Sequence, residues 1–214
     1  RTQVLLFEAG DDTPPGQIPA EILDSYAAAA YLNPQYTWGD LKAYTEIISD
    51  NSPPDAPKPQ KRVYEQAKIL GGGSSINGQQ ANRGSPHDYR EWEQLGAAGW
   101  GWTDVLPYFK KIEHDLDYDG PYHGQSGRIP IRRLFEDQWC GHAKGLAQAF
   151  SNLGFKYVED QNGEYVDGYF GLAISNAYER RVSAAIGYLD SVTRARPNLV
   201  IKTNCQITNL LFDG

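Results

Sequence analysis

Within its first ten residues the chain runs Val4-Leu5-Leu6-Phe7 and then Glu8-Ala9-Gly10. An unbroken apolar run of this length describes a strand covered on both faces, and strands of that kind belong to parallel sheets. Parallel neighbours can be joined only through long crossovers, so a mixed α/β architecture follows. Such a strand needs a partner on each side, and the expectation is a strand–helix unit ahead of Val4. Residues 198–203 and 206–212 read as two further strands, with Asp213-Gly214 as a turn signal after them. The expected object is therefore an internal piece of a longer polypeptide.

Between these ends the pattern alternates irregular and helical stretches. Residues 11–60 carry Pro14-Pro15, Pro19, Trp38, Pro53-Pro54, Pro57 and Pro59, a composition for long irregular cover segments. A short helix is predicted after Asp88, with Tyr89, Trp92 and Leu95 on one face. Thr103 is placed to cap a second helix that carries Val105, Leu106, Phe109 and Ile112, with Pro107 in its first turn. Residues 127–131 suggest a strand. Residues 137–153 alternate at helical period and stop on Gly154, and residues 183–194 suggest a last helix ahead of Pro197.

Bulk properties exclude several classes of function. The 214 residues hold 27 acidic and 20 basic side chains, a net charge of −7, which argues against non-specific nucleic-acid binding. The densest basic groups, Arg132-Arg133 and Arg180-Arg181, read as solvated surface pairs. Cys140 and Cys205 form no Cys-x-x-Cys pair, which points to a reducing, cytoplasmic setting without a disulfide framework. His87, His114, His123 and His142 lack metal-ligand spacing and read as surface or hydrogen-bonded structural residues; no metal is expected. No apolar run is long enough to cross a bilayer.

Two features carry chemistry. Glu8 ends a parallel strand, where dinucleotide-binding folds offer a carboxylate to the two ribose hydroxyls. The glycine fingerprint that belongs some 20 residues earlier falls outside the chain. The second feature is Lys68-Ile69-Leu70-Gly71-Gly72-Gly73-Ser74-Ser75-Ile76-Asn77-Gly78. Its composition allows a linker, a tight packing turn or backbone laid bare for a ligand. Apolar flanks argue against the linker, and residues without Cβ let a ligand come close. Ser74 or Ser75 could cap a following turn and aim N–H groups at an anion. The absence of Gly-Lys-Ser/Thr rules out a nucleoside-triphosphate loop.

The same stretch from Ala67 to Asn77, continued by Ala81-Asn82-Arg83-Gly84, resembles the first signature of the glucose–methanol–choline (GMC) oxidoreductases. In register with it stand Val4 to Gly10, Pro86-His87-Asp88-Tyr89, Trp92, Gly99-Trp100-Gly101-Trp102, Leu106 to Lys111, Arg181-Val182-Ser183-Ala184-Ala185 and Pro197-Asn198-Leu199. The resemblance implies a partial Rossmann-like FAD-binding domain with part of a substrate cap. Residues 1–84 would belong to the FAD-binding part, 85–180 to the extension and cap, and 181–214 to the return, with both ends truncated relative to the family.

Carried over by position, Glu8 would hold the adenosine ribose. Gly73, Asn77 and Gly78 would lie along the diphosphate and inner flavin, Gln80 at a further FAD contact, and the Ile207 backbone at adenine, although a strand-core role explains Ile207 as well. Some members tether FAD through a His just before the signature Asn; here that residue is Ile76, so the resemblance implies non-covalent FAD. Arg90 is a minor departure. The implied activity is oxidation of a small-molecule alcohol by hydride transfer to flavin N5, with oxygen or another electron acceptor. A hydroxynitrile lyase of the same fold and a non-catalytic module are the alternatives. No residue of the chain matches the family's catalytic His pair, expected in the remainder of the polypeptide.

Overall fold

The computed structural model describes residues 2–44, 53 and 60–212. It is a mixed α/β structure, as expected, with small sheets in place of one broad one. Strand β1 (Val4–Phe7) pairs in parallel with the last strand, so that Val4 faces Leu199 and Phe7 faces Lys202. After β1 come two one-turn helices, α1 (Ala20–Leu23) and α2 (Ala28–Tyr31), and a hairpin of β2 (Lys42–Ala43) and β3 (Arg62–Val63). Helices α3 (Pro86–Gln94) and α4 (Trp102–Ile112) follow. Strands β4 (Glu113–Asp115) and β5 (Ile129–Arg133) run parallel. Helix α5 (Gly141–Asn152) leads to β6 (Lys156–Val158), the turn α6 (Gln161–Glu164) and β7 (Gly168–Phe170), which pairs in parallel with β6. Strand β8 (Ala173–Ile174) completes the β4-β5 sheet, and β9 (Asn176–Ala177) pairs with β10 (Arg180–Arg181). Helices α7 (Ala184–Tyr188) and α8 (Ser191–Arg194) return the chain to β11 (Leu199–Lys202).

Several expectations change. Strand β1 is parallel but not buried: Val4 and Leu5 are 46% and 50% exposed, because β11 is its single partner among the described residues. Residues 206–212 form no strand, since no described strand pairs with them, and Leu211 and Phe212 are exposed. The prolines at 54, 57 and 59 and the turn at 213–214 lie outside the described residues.

Helix α3 begins earlier than predicted, on Ser85, which accepts from the Asp88 N–H while the Asp88 side chain accepts from the Ser85 N–H. Tyr89 and Trp92 meet edge to face at 5.5 Å, whereas Leu95 is exposed. Gly101, not Thr103, caps α4; a Cβ there would meet the carboxylate end of Glu93 of α3 at 2.7 Å. Pro107 then falls inside the helix, beyond its first turn. The predicted helix over 183–194 breaks in two, because Asp190 accepts from the Thr193 N–H at 2.7 Å and starts α8. The strand at 127–131 forms as β5 two residues later, and α5 starts later than predicted but ends as expected before Gly154, whose φ is +90°.

The irregular segment near the N-terminus turns out to be a support. Ile22, Ala30 and Tyr36 pack with Ile69 and Ile76, all nearly fully buried. Trp38 Nε1 donates to the Ala67 carbonyl at 3.1 Å, and the Lys68 N–H donates to the Tyr36 carbonyl at 2.7 Å. Each buried aliphatic side chain contributes roughly 1.5–3 kcal/mol. The core therefore sits directly under the glycine stretch.

Candidate functional site

Three segments converge at the carboxyl end of β1. The Glu8 N–H donates to the Lys202 carbonyl at 2.9 Å, and the Glu8 carbonyl accepts from the Cys205 N–H at 2.8 Å. The chain of 203–207 thus leaves β11 alongside Glu8. Asp11 bridges Ile69 in parallel, and its carbonyl accepts from the Leu70 N–H at 2.9 Å. Gly10 permits this junction: a Cβ there would lie 1.9 Å from the Lys68 carbonyl oxygen. Glu8 is half-buried, and its Oε1 accepts from the Gly10 N–H at 2.8 Å.

The glycine stretch is a 3-10 turn over Gly72–Ser75, and its glycines serve different ends. Gly71 has φ +96°, and a Cβ on it would stand 2.4 Å from Ser75 Oγ and 3.1 Å from Ala185 Cβ. This one is a packing turn. Gly73 has no positive φ, and a Cβ there would meet nothing within 4 Å; at Gly78 it would meet only Gln80 Cγ at 4.0 Å. Nothing in the protein requires glycine at either place. Both are exposed, as are Asn77 and Gln80.

Neither serine caps the turn as predicted. Ser74 Oγ donates to the Gly71 carbonyl at 2.6 Å and accepts from the Ala184 N–H at 2.9 Å, so it serves the start of α7 instead. Ser75 Oγ donates to the Leu70 carbonyl at 3.0 Å. Past Asn77 the chain is held by Gln79, which is buried at φ +63°. Its Nε2 donates to the Ser25 carbonyl at 2.8 Å, and its Oε1 accepts from Asn176 Nδ2 at 2.9 Å. Gln80 faces Ile174 of β8 in an isolated bridge. Ile207 is 49% exposed and belongs to no strand, which removes its strand-core reading.

The arginine pairs are corrected too. Arg181 and Arg133 are 1% and 3% exposed. Each lies in a strand, where successive side chains take opposite faces, so one of each pair is turned inward. Arg181 crosses beneath the glycine stretch and donates to the carbonyls of Ile22, Ser74 and Asn77. Sequence reasoning placed it in a motif but assigned it no task; strand alternation next to Arg180 was the available signal.

A second polar group of residues lies at the β4-β5 sheet. His123 Nδ1 meets Asp115 Oδ2 at 2.9 Å and Glu113 Oε1 at 3.1 Å, and its Nε2 meets Asp160 Oδ2 at 2.7 Å. Both ring nitrogens face carboxylates, so both donate and the ring is an imidazolium. Burial opposes that charge, but the hydrogen bonds the ring donates to Asp115, Asp160 and Glu113 outweigh it and push the pKa up to about 10. Arg133 Nη1 reaches Asp115 at 2.6 Å, and Arg83 pairs with Glu113. Burial works against the Asp115 carboxylate, yet His123 and Arg133 hold its pKa well below the usual range. Glu113, Asp115 and His123 bring metal-ligand atoms within 4.8 Å of one another, but their carboxylates already take Arg83, Arg133 and the imidazolium. The geometry is that of an ion-pair network.

The model of the family described as GMC oxidoreductase matches residues 28–214. The chain belongs to the GMC oxidoreductase family. It is similar to 5-(hydroxymethyl)furfural oxidase of Methylovorus sp. (strain MP688), at 43% identity over 99% of this chain and 40% of the relative. It is also similar to the oxygen-dependent choline dehydrogenase of Rhizobium johnstonii, at 36% identity over 100% of this chain and 36% of the relative. Among solved structures, pyridoxine 4-oxidase from Mesorbium loti superposes with a TM-score of 0.77 at 27% identity, over 94% of this chain and 37% of that one. The GMC chain described here thus spans less than half the length of these relatives. Membership in the family implies FAD as the cofactor, and the open glycines at 73 and 78 fit a ligand laid against the backbone. Among the described residues no helix is long and apolar enough to cross a membrane.

Proposed function

We propose that this chain supplies the FAD-binding face and part of the substrate cap of an enzyme that oxidises a small alcohol to a carbonyl compound. The observation that carries the reading is that Gly73 and Gly78 lack a side chain where the protein itself leaves room for one. Close approach of a ligand supplies the missing reason. When bound, FAD would furnish the hydride-accepting flavin N5, chemistry that no amino-acid side chain offers.

The chain's own residues bind and orient. Glu8 keeps one oxygen on the Gly10 N–H and is assigned to the adenosine ribose with the other. Gly73, Asn77 and Gly78 are assigned to the diphosphate and inner flavin, Gln80 to a further contact, and the exposed Ile207 backbone to adenine. Non-covalent attachment is supported by Ile76, a hydrocarbon that is 4% exposed and turned into the core. Residues 1–84 and 181–214 are assigned to the FAD-binding part and 85–180 to the extension and cap; the β1–β11 pairing supports the return of the last segment.

His123 cannot serve as the base, because both of its nitrogens are committed to carboxylates. The proton acceptor is assigned to the remainder of the polypeptide. Oxygen as electron acceptor is supported by the names of two relatives, an oxidase and an oxygen-dependent dehydrogenase. A cytoplasmic location accords with two free thiols, Cys140 and Cys205.

The test is the visible spectrum of the full-length polypeptide. Flavin colour that bleaches anaerobically on adding an alcohol and returns with oxygen is the expected result. A colourless protein overturns the reading. A coloured protein that does not bleach, yet releases cyanide from a hydroxynitrile, identifies a lyase instead.

A further inference from the structure

Arg181 is buried, and no counter-charge meets it among the described residues. Nε donates to the Ile22 carbonyl at 2.9 Å, and Nη1 donates to the carbonyls of Ser74 at 3.1 Å and Asn77 at 2.6 Å and to Asn77 Oδ1 at 3.1 Å. Among the described residues no carboxylate pairs with the guanidinium, and its Nη2 has no acceptor. Burial holds its pKa below the usual arginine value. An unpaired buried cation is costly, so its contacts ought to accomplish something that a neutral side chain could not.

What they constrain is the direction of one amide. Asn77 Oδ1 accepts from Arg181 Nη1 and also from the Gln79 N–H at 3.0 Å. A guanidinium and a backbone N–H can only donate. Turning the amide over would set its NH2 against two donors, so the flipped state is excluded. The oxygen stays inward, and Nδ2 is the atom left for the exposed side of Asn77, with no acceptor among the described residues. We infer that Arg181 is a positioning residue that locks the Asn77 amide with its two N–H donors toward an acceptor-bearing ligand. The inference rests on the FAD reading above and sharpens it: the partner is an oxygen acceptor, on either the diphosphate or a flavin carbonyl.

The test uses the full-length polypeptide stripped of FAD, with affinity read from flavin fluorescence and thermal unfolding read alongside. Asn77→Asp retains both inward hydrogen bonds and gives Arg181 a carboxylate, but replaces the outward donors with an acceptor. Its unfolding midpoint should be equal to or above the parent's, while FAD affinity falls about tenfold to a hundredfold. Arg181→Met should weaken FAD comparably, Arg181→Lys less, and the double variant by less than the product. Should Arg181→Met not fold, Asn77→Asp alone decides. ADP, titrated as a second probe, separates the sources: loss of ADP affinity assigns the acceptor to the diphosphate, and loss confined to FAD assigns it to the flavin. Parent-like FAD affinity in Asn77→Asp overturns the lock and leaves the FAD reading intact. An unmodified protein that retains no FAD overturns both.

Discussion

The glycine face and the ion network at β4-β5 are both built around buried arginines, and they are finished to different degrees. At the network, Arg133, His123, Asp115 and Glu113 are 3%, 5%, 2% and 4% exposed, and each has a charged partner inside the protein. At the glycine face, Arg181 is as deeply buried but among the described residues meets carbonyls and an amide, with no carboxylate. Gly73 and Gly78 leave open space, and Asn77 turns donors outward. A polar assembly that satisfies itself holds a fold together. One that stops short, beside bare backbone, is a place made for something else.

The contrast is most directly broken at Arg133. Arg133→Met leaves the buried Asp115 carboxylate with His123 and the Asp117 and Tyr118 N–H groups but without its guanidinium, and should destabilise the protein by about 3–5 kcal/mol, read as a fall in the thermal midpoint. Whatever fraction folds should bind FAD as the parent does. The complementary change is Gly73→Val. The Cβ it adds meets nothing within 4 Å in the protein, so the apoprotein midpoint should move little, whereas FAD affinity should fall about a hundredfold, or roughly 2.7 kcal/mol. A Gly73→Val variant with full flavin content would erase the distinction between the two regions.

Gly71→Ala tests the division of labour inside the glycine stretch. With φ at +96° and Ser75 Oγ 2.4 Å from the new methyl, it should cost about 1–3 kcal/mol of stability, unlike an alanine at Gly73, which should cost little. The subtlest distinction is in pH dependence. The folded-state pKa of His123 lies near 10 against an ordinary 6.5. Its contribution is therefore complete below 6.5 and is lost as pH rises through 10. Asp115 and Asp160 have lowered values, so their contribution is present above 3.8 and fades in acid. The thermal midpoint should decline from pH 6.5 toward 10, and His123→Gln should flatten that decline.

Much of the glycine face was legible in the sequence because its logic is local. Apolar flanks and consecutive residues without Cβ mark the turn, and Glu8 follows directly on its strand. The ion network was not legible, since Arg83, Glu113, His123, Arg133 and Asp160 are brought together only by the packing of β4, β5 and α6. Arg181 was misread for a related reason. A pair of arginines looks like surface until strand alternation sends one of them inward, and no local pattern says what will meet it there. The helix starts shifted where the cap fell ahead of the apolar pattern, as at Ser85 and Gly101. Residues 206–212 show the reverse case, in which a strand-like pattern had no partner to pair with.

The pairing of β1 with β11 joins the first few residues to nearly the last. During synthesis β1 emerges well ahead of β11 and has to wait for it before their ladder can form. Contacts of such long sequence separation are slow to close. The ion network and the α3–α4 pair draw on nearer segments and can assemble first. Completion of the Glu8 end, where the Cys205 N–H donates to the Glu8 carbonyl, thereby has to follow the emergence of β11. The surface assigned to the dinucleotide is among the last parts of this chain to take shape.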